Sequence, residues 1–63
     1  MNANMKLVRD WIIAKRSFET AIIELEGEYE TVPDKVYHAY YSLSYLEKLK
    51  VFRNAVNHII KNY

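Results

Sequence analysis

The chain has 63 residues, nine Lys and Arg against eight Asp and Glu, a 51% hydrophobic content, one Gly, one Pro and no Cys. A chain this short buries only about 60% of the surface its unfolded form exposes, which excludes a multidomain enzyme and a large enclosed active site. Its apolar half and net charge of +1 are the reverse of a disordered segment, and the missing cysteines exclude disulfide staples, thiolate zinc sites and thiol nucleophiles.

The first predicted element is a helix over about residues 4–26, on which Val8, Trp11, Lys15, Phe18, Ile22, Leu25 and Tyr29 recur in steps of three and four with Lys15 as the one polar member. Gly27 suits a left-handed C-terminal cap, and continuation past it would stack Glu24 on Glu28 and Glu26 on Glu30. Thr31 can then cap a second helix over about 32–61, with Pro33 in its first turn and Asp34 three residues after the cap. Its stripe is His38, Ser42, Tyr45, Leu49, Phe52, Val56, Ile59 and Tyr63. Rods of roughly 35 and 45 Å joined by a short connection form an all-α antiparallel hairpin, a single domain over 1–63. The expected core is Val8, Trp11, Phe18, Ile22, Leu25, Tyr45, Leu49, Phe52, Val56 and Ile59.

The stripes are too wide for one neighbour each, because Leu7, Ala14 and Ala21 widen the first and Ala39, Leu46 and Ile60 the second. A single core below about 70 residues rarely supplies more than ~3 to 5 kcal/mol, and with no disulfide or metal a second subunit is the remaining device. The expectation is a homodimeric four-helix bundle. Residues 1–16 and 48–63 carry a balance of +7 and residues 17–47 one of −6, so an antiparallel dimer sets each acidic turn beside the other copy's basic end.

Chemistry has little to work with. His38 and His58 face nearly opposite sides of one helical wheel, and Asp34 with His38 is an i, i+4 pair short of the four ligands that structural zinc wants. Ser42, His38 and Glu47 lack the strand-turn-helix elbow and glycine-built oxyanion loop that activate a nucleophile, and one glycine forms no phosphate-cradling loop. No catalytic residue, metal or cofactor is expected. Lys15 at a seam position either lays its stem on the core with its ammonium in water or fixes register.

Two surfaces remain. Ile13, Val36, Tyr37, Tyr40, Leu43 and Val51 fall outside the packing stripes, and Ile13, Tyr37, Tyr40 and Val51 form a candidate surface for an unidentified protein partner. Lys6, Arg9 and Arg16 line a basic stripe on the first helix that could grip nucleic-acid phosphates, although Asp10 and Glu24 adjoin it. Mixed-sign polar faces argue against a membrane surface, and the apolar runs are too short for a signal peptide or a spanning segment, so a cytoplasmic protein is expected. The abundance of Ile and Tyr and the absence of Gln fit a thermophilic source.

The tyrosine-rich half VYHAYYSLSYLEKLKVFRNAVNHIIKNY, following the EGEYETVPDK turn, resembles the small four-helix-bundle protein of the spindle-shaped viruses of Sulfolobus, the fuselloviruses. That resemblance spans the chain, rests on overall pattern, and implies an intracellular viral accessory protein that dimerises as a helical hairpin and serves as an adaptor. The architecture is also similar to the plasmid regulator called repressor of primer, which implies an RNA-binding alternative through the Lys6, Arg9 and Arg16 face. No site residue is carried over from either.

Overall fold

Three of the α-helices described in the computed structural model begin where a side chain accepts from one of the first free N–H groups; residues 1–15, 17–27 and 29–63 are described, with Tyr29 described through its backbone only. Asn2 accepts from the Met5 N–H at 2.9 Å and starts α1 (Ala3–Ala14). Its apolar residues Met5, Val8 and Ile12 fall on one face and are buried. Backbone turns extended at Lys15, and Ser17 accepts from the Thr20 N–H at 3.1 Å to start α2 (Phe18–Glu26), which buries Ala21 and Leu25.

A 3-10 turn (Tyr29–Thr31) and the buried Val32 lead through Pro33 into α3 (Asp34–Tyr41), which buries Val36, Ala39 and Tyr40. The chain leaves α3 at Ser42, buries Leu43, and enters α4 (Tyr45–Lys61) through a reciprocal cap. Glu47 N–H donates to Ser44 Oγ at 3.1 Å while the Ser44 N–H donates to Glu47 Oε1 at 2.8 Å. α4 buries Val51 and Ala55.

α1 is the hub, packed mainly on α3 and α4. Its first turn is tied to the α3–α4 corner by Asn4 Nδ2 donating to Ser42 Oγ at 3.0 Å and Asn2 Nδ2 to Glu47 Oε2 at 3.2 Å. Phe18 meets Phe52 edge-on at 6.1 Å, setting the start of α2 beside the middle of α4. Tyr40 runs through the centre with its hydroxyl donating to the Glu26 carboxylate, and burial, then that carboxylate, pushes its pKa up.

The all-helical expectation agrees with these elements, and no strand occurs among the described residues. The two continuous helices do not: α1 ends at Ala14 and α2 begins at Phe18, α3 ends at Tyr41 and α4 begins at Tyr45, where the expected spans are 4–26 and 32–61, and the chain measures 28 × 23 × 16 Å where one rod alone would run roughly 45 Å. Its radius of gyration of 10.7 Å is that of a compact domain of this length, about 11 Å. Thr31 does not cap the second helix, because its hydroxyl donates to Glu24 and Pro33 stands at the cap without a side-chain bond. Gly27 ends α2 at φ −153°, not left-handed.

Ile12 is fully buried and Leu25 nearly so. Ile12→Val should lower the unfolding free energy by ~1 kcal/mol and Leu25→Ala by ~2 to 5 kcal/mol. The second loss matches the ~3 to 5 kcal/mol a core of this size supplies. Urea titration followed by circular dichroism should show a shifted midpoint for the first variant and a largely unfolded chain for the second.

Candidate interaction surface

The inner face of α4 is set by Val51 and Ala55, both without solvent exposure. At 100° per residue the opposite side carries Leu46, Leu49, Arg53, Val56 and Ile60, spaced by three and four. Leu46 is 59% exposed, Leu49 43% and Ile60 68%; Tyr45, on the border of this stripe, is 77% exposed. α4 is thus apolar on two opposite sides, and only one is covered within the chain. Lys50 and Lys61 run along one border, and Leu46, Leu49, Lys50 and Arg53 line a shallow groove of about 260 Å³.

The expected core divides. Val8 and Leu25 are buried; Trp11, Phe18, Ile22, Phe52, Val56 and Ile59 are half-buried; Tyr45 and Leu49 face outward. The expected partner surface divides too. Tyr40 and Val51 are interior, with exposures of 1% and 0%, and cannot contact a partner; Val36 and Leu43 are buried as well. One wheel drawn over 32–61 put them outside, but the break at 42–44 lets α3 and α4 meet α1 through different faces. Ile13 and Tyr37 are half-buried, the Tyr37 ring lying 4.7 Å from that of Tyr41 and 5.5 Å from that of His38.

Lys6 is exposed, and Arg16 lies outside the described residues. The Arg9 guanidinium is bound at 3.0 Å to Asp10 and at 3.4 Å to Asn54, beside an open concavity lined also by Ile13, Ala14 and His58. No group of three metal-ligating side chains occurs among the described residues, and no helix is long and apolar enough to cross a membrane.

Lys15 is half-buried. At the C-terminus of α1 its ammonium pairs with Glu24 at 2.8 Å and lies 5.0 Å from the Trp11 ring centre. Glu24 also accepts from the Thr31 hydroxyl at 2.7 Å, so one carboxylate joins the end of α1, α2 and the 3-10 turn. The basic border of α4 has an acidic counterpart on α2, where exposed Glu19 and Glu26 flank Ile23, itself 58% exposed.

Comparison with protein families, with curated proteins and with solved structures finds no match to this chain. The resemblance to the fuselloviral bundle protein and to the repressor of primer gains no support there.

Local capping signals mark the two places where the chain turns. Ser44-Tyr45-Leu46-Glu47 is a capping-box sequence and Ser17 stands three residues before Thr20, both legible without coordinates. The backbone N–H of Ser44 first, and then the Ser44 hydroxyl and the Asn2 amide, hold the Glu47 carboxyl below its usual range; the Lys15 ammonium first and the Thr31 hydroxyl second do so for Glu24. With folded pKa values below the ordinary 4.5, each contributes stability that is complete above about pH 4.5 and is lost as the pH falls through the folded value. Thermal melts should therefore fall on acidification below about pH 4.5, and Glu24→Gln with Glu47→Gln should flatten that slope while lowering stability at neutral pH.

Proposed function

We propose that the chain is a noncatalytic helical adaptor that works as a homodimer and holds other proteins together. The observation that carries this reading is the outward stripe of α4, where Leu46, Leu49 and Ile60 stand exposed in register on a helix whose opposite side already fills the core. Monomeric proteins scatter exposed apolar residues singly, whereas a contiguous row rimmed by charge marks a contact surface. A bundle built across a two-fold axis covers that row with another subunit's helices, and two-fold dimers are the commonest closed assembly. The remaining surface of such a dimer offers each patch twice, as an adaptor requires. A cytoplasmic setting, and through the fuselloviral resemblance a viral accessory role, belong to the same proposal.

The RNA-binding alternative has a weaker footing, because Arg9 faces Asp10 and Asn54 rather than open solvent. It predicts binding that weakens steeply with salt and is lost in Lys6→Glu with Arg9→Glu.

Sedimentation over a concentration series tests the adaptor reading. The wild-type chain should sediment as a dimer at micromolar concentration, and Leu49→Asp or Ile60→Asp should give monomers with unchanged helical circular dichroism. A wild-type monomer throughout the series would overturn the dimer and with it this reading.

A further inference from the structure

We infer that the surface covering the α4 stripe is the acidic stripe of α2 from a second copy, in a closed dimer where each chain gives its α2 to the other's α4. The inference rests on the dimeric reading and adds its pairing. Charge carries it: α2 exposes Ile23 between Glu19 and Glu26, and α4 exposes Leu46, Leu49 and Ile60 beside Lys50, Arg53 and Lys61. The exposed Ile23 of α2 is thus edged by acids and the apolar row of α4 by bases, the arrangement of opposite signs that selects a partner and suppresses the wrong one.

An α4 helix packed on the α4 of a second copy would be poorer on two counts. It would gather Lys50, Arg53 and Lys61 from both chains, with one acid on each helix, Glu47, already closed into its cap. It is also small. A 17-residue helix seen from outside is a strip of about 25 by 11 Å, roughly 300 Å². A stable interface takes about 800 Å² from each partner. Engaging α2 as well as α4 enlarges the face, and the Phe18–Phe52 contact sets the start of α2 against the middle of α4.

The same contact suggests which charges meet. Phe18 touches Phe52, so the next residues along each helix, Glu19 and Arg53, belong to one region of the chain. A two-fold axis running between them would bring Glu19 of each copy against Arg53 of the other.

Charge reversal with mixing tests the pairing. Arg53 is exposed and Glu19 lies at the exposed start of α2, so neither substitution removes a core contact. Arg53→Glu alone sets two carboxylates against each other at both contacts, and Glu19→Lys alone sets two cations; each should weaken the dimer at least roughly tenfold. An equimolar mixture of the two variants restores opposite charges at both contacts and should recover dimer affinity to within about threefold of wild type. Added salt should weaken the wild-type dimer and strengthen association of each single variant.

If Leu49→Asp gives monomers while both charge variants dimerise like wild type, the α2–α4 pairing is wrong and the α4 contact stands. If single variants weaken the dimer and mixing does not restore it, the pairing is again overturned. A wild-type chain monomeric at all concentrations removes both proposals together.

Discussion

The reciprocal hydrogen bonds between Ser44 and Glu47 are the constraint on which the rest of the molecule depends. A cap of this kind contributes only ~1 kcal/mol, but it decides direction. A helix continuing from α3 through residue 44 would be one rod with Leu43 at a fixed angle to Val36 and Val51. Ending α3 at Tyr41 and restarting at Tyr45 lets Leu43 turn inward and lets α4 lie on α1 through Val51 and Ala55. The corner is then held from outside, since Asn4 bonds Ser42 and Asn2 bonds Glu47 while capping α1. One short segment thereby links the first turn of the chain to its last helix.

The second corner, between Ala14 and Phe18, adds an ion pair to its Ser17 cap, where the first relies on the reciprocal Ser44–Glu47 cap. The Lys15–Glu24 pair is more sheltered than the Arg9–Asp10 pair, with side-chain exposures of 26% and 13% against 27% and 66%. A pair open to water contributes little. Glu24 gains from a second donor, Thr31, and Lys15 from the Trp11 face, so the corner is a small network and not an isolated contact. It returns the chain onto α1 so that Phe18 reaches Phe52.

What the residues declare locally, they declare well. The all-helical class, the end of a helix near Gly27 and the burial of Val8 and Leu25 follow from spacing of three and four and one breaker-rich turn. What fails is the assumption that a stripe continuous in sequence is continuous in space. Lys15, Ser42 and Ser44 are not helix breakers by propensity, so a wheel passes through them; the bonds they make to Glu24, Asn4 and Glu47 exist only when distant or capping partners are in place. A single wheel therefore sets Tyr40 and Val51 outward, whereas both are buried within the chain. The outward α4 face is legible in the sequence only after Ser44 is read as a cap, for then the phase of α4 is fixed by its own residues and not by those of α3.

The sizes of the side chains on α4 carry the last step. The face it turns to α1 is made of Val51 and Ala55, small enough for close approach, while Leu46, Leu49, Ile60 and Tyr45 face away. Burying a Leu or Ile side chain is favourable by about 1.5 to 3 kcal/mol, more than an Ala can contribute. A chain stabilised only as a monomer would place its larger apolar residues inward. Phe52 does turn inward onto Phe18 and Tyr40 while Leu46, Leu49 and Ile60 stay outside, so the large apolar residues of the helix are divided between the single-chain core and the exposed face. In a protein whose own core supplies only ~3 to 5 kcal/mol, association through that outer row would double as stabilisation, coupling the folded state to the presence of another subunit.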